Sequence, residues 1–374
     1  MNFLKLSPYK PEPIGHGGEK RSYQIDYFLK HIIGATSTGG FDSIFQPPAV
    51  SKKSLSYFRK FLKGWLLSRS LRGFHKFKSN KYVSLCLAHA HYRELISSND
   101  EDFIVWELGC GYPRSWDYMI PFMERGQKKI LAVLHNMDSL IDGRVFMETD
   151  LSSPHWFHKE LAALKACELV LTISWEEHWI LKLHGINSIY YPYYPVGTVA
   201  NVSLRVKKLR AIKEQKGYLI LGSAVNLPTY KATLELMEHL KEEKSQLYIA
   251  GYGTEKLRDK VKGFDNANIL GALSQDELER ILSEVKAVII YSLPTTGALT
   301  KIPELLSCGV PVFVNDFGAR SHFNLSGLTI YYNFNELKQS LEEKNLPLDV
   351  SYDDPNSEQL NAVIYKVKTF FESK

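Results

Sequence analysis

The residues best suited to chemistry lie in one stretch of the C-terminal half, SLPTTGALTKIPELLSCGVPVFVND, which follows the apolar run KAVIIYS. Gly297 lets the backbone approach a ligand closely, and Thr300 or Lys301 is predicted to open a helix whose first N–H groups would face an anion. Lys301 adds a positive charge, and Glu304, about one turn further along, can accept hydrogen bonds from ribose hydroxyls. This spacing predicts a nucleotide diphosphate site; a plain helix start with a solvated Glu is the alternative.

The elements that must position these residues are short apolar runs rich in β-branched and aromatic residues, with helical patterns between them. The clearest runs are DFIVWELG, KKILAVLHN, ELVLTIS, GYLILGS, SQLYIAG and KAVIIYS. Strands that alternate with helices predict parallel, doubly wound sheets, and such sheets bind ligands beyond the carboxyl ends of their strands. The predicted fold class is therefore α/β, with the site in the loops that follow the strands.

The length of 374 residues favours two domains, because single hydrophobic cores stop growing at roughly 250–300 residues. The strand pattern breaks after Tyr190 into YYPYYPVGTVANVSL, and a basic helical segment, RVKKLRAIKEQKG, precedes the next strand. We therefore predict an N-terminal domain over residues 1–205, a C-terminal domain over residues 206–352 and a closing helix within residues 353–374.

Cysteine usage and hydropathy favour a cytoplasmic protein. The four cysteines are scattered without a CxxC pair, so the sequence predicts neither a zinc site nor a disulfide framework. The N-terminus, MNFLKLSPYKPEPIG, lacks the apolar run of a signal peptide, and no stretch approaches the ~18 apolar residues of a membrane span.

A basic segment at residues 52–81 carries ten Lys or Arg residues, and no acidic residue occurs between Asp42 and Glu94. Within it, apolar residues share one helical face, namely Leu55, Phe58, Leu62, Trp65 and Leu66. This pattern is typical of a helix that lies on an anionic membrane surface, so the protein is also a candidate peripheral membrane protein; a core-facing helix with a basic outer side is the alternative. The rest of the chain has no groove-reading motif, so nucleic acid is not an expected partner.

The C-terminal half resembles a known enzyme class. PELLSCGVPVFVND resembles the signature of GT-B glycosyltransferases, especially the large retaining family four, and LYIAGYG and NILGALSQDELERILSEVKAVIIYS resemble further family segments in register. The resemblance covers most of residues 217–316. It implies two Rossmann-like domains that face a cleft, a nucleoside diphosphate sugar as co-substrate, a saccharide or lipid-linked acceptor, and neither a metal nor another cofactor. It also implies that the closing helix crosses back to the N-terminal domain.

The resemblance also implies a set of donor-binding residues. Glu304 matches the Glu that binds the donor ribose, Ser223 and Lys231 match the loop after the first strand, and Gly271 lies in the segment that meets the nucleobase. The loop residues Gly297, Ala298, Leu299, Thr300 and Lys301 complete this set. Two positions depart from the family, because its usual Arg is Ser223 and its upstream Glu is Thr296. Lys231 and Lys301 are then expected to supply the charge for the diphosphate.

In the N-terminal half, IGHGGEKRSYQIDYFLKHI resembles the family's opening glycine loop, with Gly17 and Gly18 at the glycine positions. The resemblance implies that these two glycines bind the donor phosphate; a plain glycine turn is the alternative. The run KKILAVLH ends at His135, where family members often place a His. His135 is expected to bind the acceptor or the transferred sugar, and Asp138 would act as general base if the enzyme inverts the anomeric centre. A purely structural His135 is the alternative.

Three other functions stay open. FIVWELGCGYPRSW resembles a methyltransferase loop for S-adenosylmethionine, although Pro113 replaces the usual third glycine. A nucleotide-sugar epimerase would share the donor pocket, and an inactive partner subunit would keep only the fold.

Overall fold

The chain folds into two parallel six-stranded sheets with flanking helices, as the alternation of strands and helices in the sequence predicts. The computed structural model describes residues 1–38, 58–59, 62–63, 66, 100–108, 128–141, 153–225, 227–294, 296–342, 346, 350, 352 and 357–373. The chain divides into two compact units. The N-terminal unit comprises Met1–Glu12, Gly18–Pro192 and Glu358–Lys374, and the C-terminal unit comprises Pro13–Gly17 and Tyr193–Ser357.

The N-terminal unit is built on strands β1 to β6. Its elements are β1 (Asn2–Leu6), α1 (Gly17–Tyr27) with a π-helical extension (Phe28–Ile33), β2 (Thr36–Ser37), β3 (Phe103–Leu108), β4 (Lys129–Leu134), a 3₁₀ turn (Asp138–Leu140), α2 (Ser153–Lys165), β5 (Leu169–Thr172), α3 (Trp175–Leu183) and β6 (Ser188–Tyr190). The strand order is β2-β1-β3-β4-β5-β6, with every pair parallel. The order reverses between β1 and β3, where a doubly wound sheet opens its ligand crevice.

The C-terminal unit repeats this architecture. Its elements are α4 (Gly197–Arg210), β7 (Tyr218–Leu221), α5 (Leu227–Leu240), β8 (Leu247–Ala250), a 3₁₀ turn (Thr254–Leu257), β9 (Ala267–Gly271), α6 (Gln275–Glu284), β10 (Ala287–Ile290), α7 (Lys301–Ser307), β11 (Val312–Asn315), α8 (Asp316–Ala319), β12 (Leu328–Tyr331) and α9 (Phe334–Glu342). The strand order is β12-β11-β10-β7-β8-β9, again all parallel. The switch point therefore lies between β7 and β10.

Both faces of the C-terminal sheet are covered, which explains why its strands read as continuous apolar runs. Successive side chains of a strand point to opposite faces, so Leu219 and Val288 join one buried cluster while Ile220 and Ile289 join the other. The basic segment before β7 is helical, but the helix begins at Gly197, eight residues before the predicted segment, and ends at Arg210. Val199 and Val206 bury one face of it, and the basic residues lie elsewhere.

The last helix, α10 (Ser357–Glu372), belongs to the N-terminal unit through its residues from Glu358 onward. It buries Phe370 and Phe371, whose rings lie against Phe103 and Phe3 at centroid distances of 5.2–5.8 Å. Aromatic pairs at these separations stabilise packing beyond the area that they bury. This aromatic cluster fixes the end of the chain to the sheet that carries the N-terminal polar residues.

Candidate functional site

The switch point of the C-terminal sheet is occupied by a lysine. Lys301, the first residue of α7, directs its Nζ to the carboxyl end of β7, where it donates a 2.8 Å hydrogen bond to the carbonyl of Leu221. The loop that leads to it from β10, residues 291–300, is called the β10 loop below. The geometry thus places a cation at the edge where an open parallel sheet binds its ligand.

The charge of Lys301 has no acidic partner among the residues that the structure describes. Leu221 O is its one hydrogen-bond partner there, and no carboxylate oxygen lies within 4 Å of Nζ. Burial lowers the pKa of Lys301 from 10.5 to about 8, so the side chain stays mainly charged at neutral pH. A half-buried cation without a counter-charge is unfavourable in the free protein, and an anionic ligand would remove that penalty.

Glu304 lies one turn further along α7 and is held by a tyrosine. The Tyr193 hydroxyl donates a 2.7 Å hydrogen bond to Glu304 Oε1. Tyr193 is buried, with 1% of its surface exposed, whereas Glu304 is half-buried. Lys301 and Glu304 therefore stand on one short helix, the cation directed to β7 and the carboxylate held in place from a distant part of the chain.

Gly17, the first of the two glycines predicted in the N-terminal loop, lies beside the start of α7. A Cβ atom on Gly17 would lie 2.9 Å from Thr300 Oγ1, closer than real Cβ contacts allow, so a residue with a side chain does not fit without a shift. Gly17, the first residue of α1, belongs to the C-terminal unit, as Thr300 does, whereas the rest of α1 belongs to the N-terminal unit. Gly297 adopts φ +76°, a left-handed conformation that favours glycine, and turns the β10 loop towards α7.

Two residues that sequence analysis missed hold the β10 loop. The Arg320 guanidinium donates hydrogen bonds to the carbonyls of Gly297 (2.9 Å) and Thr296 (2.8 Å) and to that of Phe317. The buried His322 ring bonds the backbone of Leu299, and burial, together with the charge of Arg320, lowers the pKa of His322 to about 4. The charged Arg320 and the neutral His322 therefore fix the conformation of the β10 loop. No sequence motif predicts either contact.

The remaining predicted donor residues lie at the carboxyl ends of β7 and β9 or beside them. Ser223 follows β7, and its Oγ lies 3.5 Å from the carbonyl of Tyr252. Gly271 ends β9 with φ +78°, and its carbonyl accepts a 2.8 Å hydrogen bond from Gly251 N. Lys231 is exposed on α5 and has no hydrogen bond or ion pair within the described part of the chain. Ala298 and Leu299 are half-buried in the β10 loop.

The switch point of the N-terminal sheet carries a buried polar network around Glu107. Glu107 Oε1 lies 2.8 Å from Lys5 Nζ, and its Oε2 accepts a 2.8 Å hydrogen bond from Ser7 and lies 3.3 Å from His135 Nε2. Lys5 also pairs with Asp26. Burial alone would raise the pKa of Glu107, but Lys5 and then His135 lower it well below its usual range.

The predicted His135 is thus part of a network rather than a lone side chain. Burial lowers the pKa of His135 against the opposing effect of Glu107, so the imidazole is neutral at pH 7. Its ring packs on Tyr9 at a centroid distance of 4.8 Å, and a Cβ on Gly18 would lie 2.7 Å from the same Tyr9 ring. The second predicted glycine therefore leaves room for the ring that covers His135.

Asp138, the predicted general base, begins the 3₁₀ turn that follows β4. Its side chain is buried, with 4% exposed, and Oδ1 accepts a 3.1 Å hydrogen bond from Asn136 Nδ2. The neighbouring Glu160 binds the backbone N–H groups of Asp138 and Ser139 at 3.2 Å, and burial raises the pKa of Glu160 to about 8. Burial and these hydrogen bonds are typical of a residue that supports the turn, and the general-base role of Asp138 stays a prediction.

Most of the basic segment at residues 52–81 lies outside the described residues. Five of its positions are described as helical and exposed: Phe58, Arg59, Leu62, Lys63 and Leu66. The glycines of the methyltransferase-like loop, Gly109 and Gly111, lie outside the described residues. Within the described ranges, none of the helices combines the length and the hydropathy that a membrane span requires.

Two doubly wound parallel sheets, each with a switch point in its strand order, define a two-domain α/β protein of the GT-B fold. Solved GT-B structures match over nearly the whole chain. They include a sucrose-phosphate synthase from Thermosynechococcus elongatus (12% identity, TM-score 0.64, 100% of both chains), an α,α-trehalose 6-phosphate synthase from Burkholderia multivorans (12%, 0.58, 98% of this chain and 93% of that one) and Anabaena HepE in complex with UDP and glucose (15%, 0.53, 100% and 97%). At these identities the likeness shows the fold.

Residues 215–342 match the family model described as glycosyl transferases group 1. The match covers 128 of the 374 residues and shows that the C-terminal part of the chain is similar to group 1 glycosyltransferases. The match spans β7 to α9 and so contains the switch point with Lys301 and Glu304. No curated protein sequence matches the chain.

Proposed function

We propose that the protein transfers a glycosyl unit from a nucleoside diphosphate sugar to a saccharide or a lipid-linked acceptor. The observation that carries this proposal is the cation at the β7–β10 switch point. Lys301 is half-buried, charged at neutral pH and without an acidic partner in the described region. A diphosphate supplies the missing negative charge, and Glu304 lies on the same helix to receive the ribose.

The donor is bound in an extended manner along the carboxyl edge of the C-terminal sheet. Lys301 contacts the diphosphate, Glu304 accepts hydrogen bonds from the ribose hydroxyls, and the backbone at Gly271 meets the nucleobase. Lys231 and the β7 loop at Ser223 flank the diphosphate. Gly17 supports this arrangement, because its lack of a side chain admits the close approach to Thr300.

The reaction proceeds without a metal or a further cofactor and retains the configuration at the anomeric carbon. The bond between C1 and the β-phosphate oxygen breaks, and the acceptor oxygen bonds C1 on the same face. The acceptor hydroxyl proton passes to the departing diphosphate. Lys301 stabilises the negative charge that develops on that leaving group. Electrostatic stabilisation of this kind is usually the largest single contribution to the rate of an enzymatic step.

The N-terminal unit supplies the acceptor side. His135 hydrogen-bonds the transferred sugar or the acceptor as a neutral imidazole, because Glu107 fixes one ring nitrogen and burial keeps the ring uncharged. The basic segment at residues 52–81 meets an anionic membrane surface. Phe58, Leu62 and Leu66 are each helical, stand four residues apart in the sequence and expose 43–59% of their surface, which supports this part of the proposal.

The experiment that tests the function is thermal stabilisation of the purified protein by UDP, GDP and ADP sugars, with S-adenosylmethionine and anionic vesicles as separate arms. A shift with sugars of one nucleoside diphosphate is expected, since ligands that bind the native state stabilise it. A shift with S-adenosylmethionine alone would overturn the proposal in favour of methyl transfer. Binding without any turnover in the presence of acceptor extracts would favour an inactive partner subunit.

A further inference from the structure

The hydrogen bond between Tyr193 and Glu304 has no counterpart in the sequence motifs. The two residues are 111 positions apart, and the bond of 2.7 Å joins a buried phenol to a half-buried carboxylate. Tyr193 is itself fixed, because its backbone carbonyl accepts a 3.3 Å hydrogen bond from the Tyr352 hydroxyl. The two hydrogen bonds together link three segments of the C-terminal unit.

A glutamate that receives a ribose must present its two oxygens in one orientation. The side chain has three rotatable bonds, and ordering it at the moment of binding reduces affinity. A tyrosine hydroxyl that bonds Oε1 removes much of that freedom before the ligand binds. The entropy lost by the tyrosine itself is small, because its side chain has only two rotatable bonds. A carboxylate offers about four lone-pair positions, so Glu304 can accept the tyrosine and two ribose hydroxyls together.

We propose that Tyr193 is a positioning residue that holds Glu304 in the orientation that reads the ribose hydroxyls of a nucleoside diphosphate. This inference rests on the proposed function. It makes ribose selectivity depend on a residue that touches no ligand atom and lies outside residues 215–342 that match the family model.

The test compares ribonucleotides with 2'-deoxyribonucleotides. Affinities for UDP, GDP and ADP and for dUDP, dGDP and dADP are measured by calorimetry with wild type, Tyr193→Phe and Glu304→Ala. For the base that binds, wild type is expected to prefer the ribonucleotide by about tenfold, Glu304→Ala to lose the preference, and Tyr193→Phe to reduce it below about threefold. The deoxynucleotide affinity of Tyr193→Phe should stay near that of wild type.

The matched control is Tyr218→Phe, which removes another buried phenol of the same unit whose hydroxyl lies 3.5 Å from the carbonyl of Leu341. It should leave ribose selectivity unchanged. Should Tyr193→Phe fold poorly, Tyr352→Phe keeps the test open, since it removes the hydrogen bond to the Tyr193 carbonyl and should lower the selectivity by a smaller factor.

The outcomes separate the inference from the function that it refines. If Glu304→Ala loses ribose selectivity but Tyr193→Phe keeps it, or if Tyr193→Phe weakens both nucleotide types equally, the positioning role is refuted and the donor site stands. If wild type shows no ribose selectivity, or if Glu304→Ala retains it, the assignment of Glu304 fails and the inference falls with it.

Discussion

Replacing Lys301 with methionine should stabilise the free protein and at the same time weaken donor binding. Burial lowers the pKa of Lys301 from 10.5 to about 8. At ~1.36 kcal/mol for each pH unit, this difference corresponds to a penalty of about 3 kcal/mol for the charged side chain at pH 7. Methionine removes the penalty but leaves the Leu221 carbonyl without its hydrogen bond, which costs about 1 kcal/mol. The net gain in the free energy of unfolding is about 2 kcal/mol.

The pH dependence identifies the cause of that gain. The folded protein holds Lys301 at a lowered pKa, so between pH 8 and pH 10.5 the unfolded chain binds more protons than the folded one. The stability of wild type therefore rises with pH across this window, and the penalty is fully present below pH 8. The gap between Lys301→Met and wild type should narrow by about 1.3 kcal/mol from pH 7 to pH 9.

The assay is calorimetry of thermal unfolding with and without the nucleoside diphosphate that binds. In the free state, Lys301→Met should melt about 4–8 °C above wild type at pH 7, in the transition of the C-terminal unit. Its dissociation constant for the diphosphate should rise by at least about 30-fold, since a unit charge near phosphate contributes several kcal/mol. Lys262→Met removes a lysine that is 78% exposed and should change neither quantity. Unchanged stability together with unchanged affinity would refute the reasoning.

Three further predictions concern the supports of the two switch points. Gly17→Ala should lower donor affinity several-fold, because the added Cβ meets Thr300 Oγ1 at 2.9 Å, and Thr300→Ala in the same chain should recover part of the loss, as measured by calorimetry. Glu107→Gln should lower the free energy of unfolding in urea by about 3–5 kcal/mol, since it leaves the buried Lys5 without its main counter-charge. Arg320→Lys should raise the donor dissociation constant by about tenfold, because an ammonium cannot span the two carbonyls of the β10 loop, whereas Arg205→Lys on the surface should not.

Each of these predictions has an opposing result. Full donor affinity in Gly17→Ala would show that the glycine loop is not fitted to the start of α7. A loss below about 1 kcal/mol in Glu107→Gln would show that Lys5 and Asp26 suffice for the N-terminal network. Equal effects of Arg320→Lys and Arg205→Lys would mean that the guanidinium of Arg320 does not shape the β10 loop.

Much of the fold could be predicted from local patterns in the sequence. The runs DFIVWELG, GYLILGS and KAVIIYS become Phe103–Leu108, Tyr218–Leu221 and Ala287–Ile290, because buried parallel strands need unbroken apolar stretches between glycines and polar turns. The start of α7 at Lys301 was predictable for a similar reason, since Thr300 and the apolar spacing after it mark a helix. The start of α4 was placed too late, because YYPYYPVGTVANVSL contains prolines and β-branched residues with low helix propensity.

The supports of the site were not predictable in this way. Tyr193 meets Glu304 across 111 residues, and Arg320 reaches back 23 and 24 residues to Gly297 and Thr296. Such contacts arise from tertiary packing and leave no periodicity in the sequence. The partnership of His135 with Glu107 was hidden for the same reason, since only the register of β3 beside β4 brings their ends together.

The central claim is that the β7–β10 switch point binds the diphosphate and ribose of a sugar donor. A co-crystal structure with the nucleoside diphosphate that gives the largest thermal shift tests it most directly. The account predicts phosphate oxygens within hydrogen-bond distance of Lys301 Nζ and ribose hydroxyls on Glu304, with Tyr193 still bonded to Oε1. A nucleotide bound elsewhere, or a Lys301 that keeps only its bond to Leu221 while the diphosphate is present, would contradict the account.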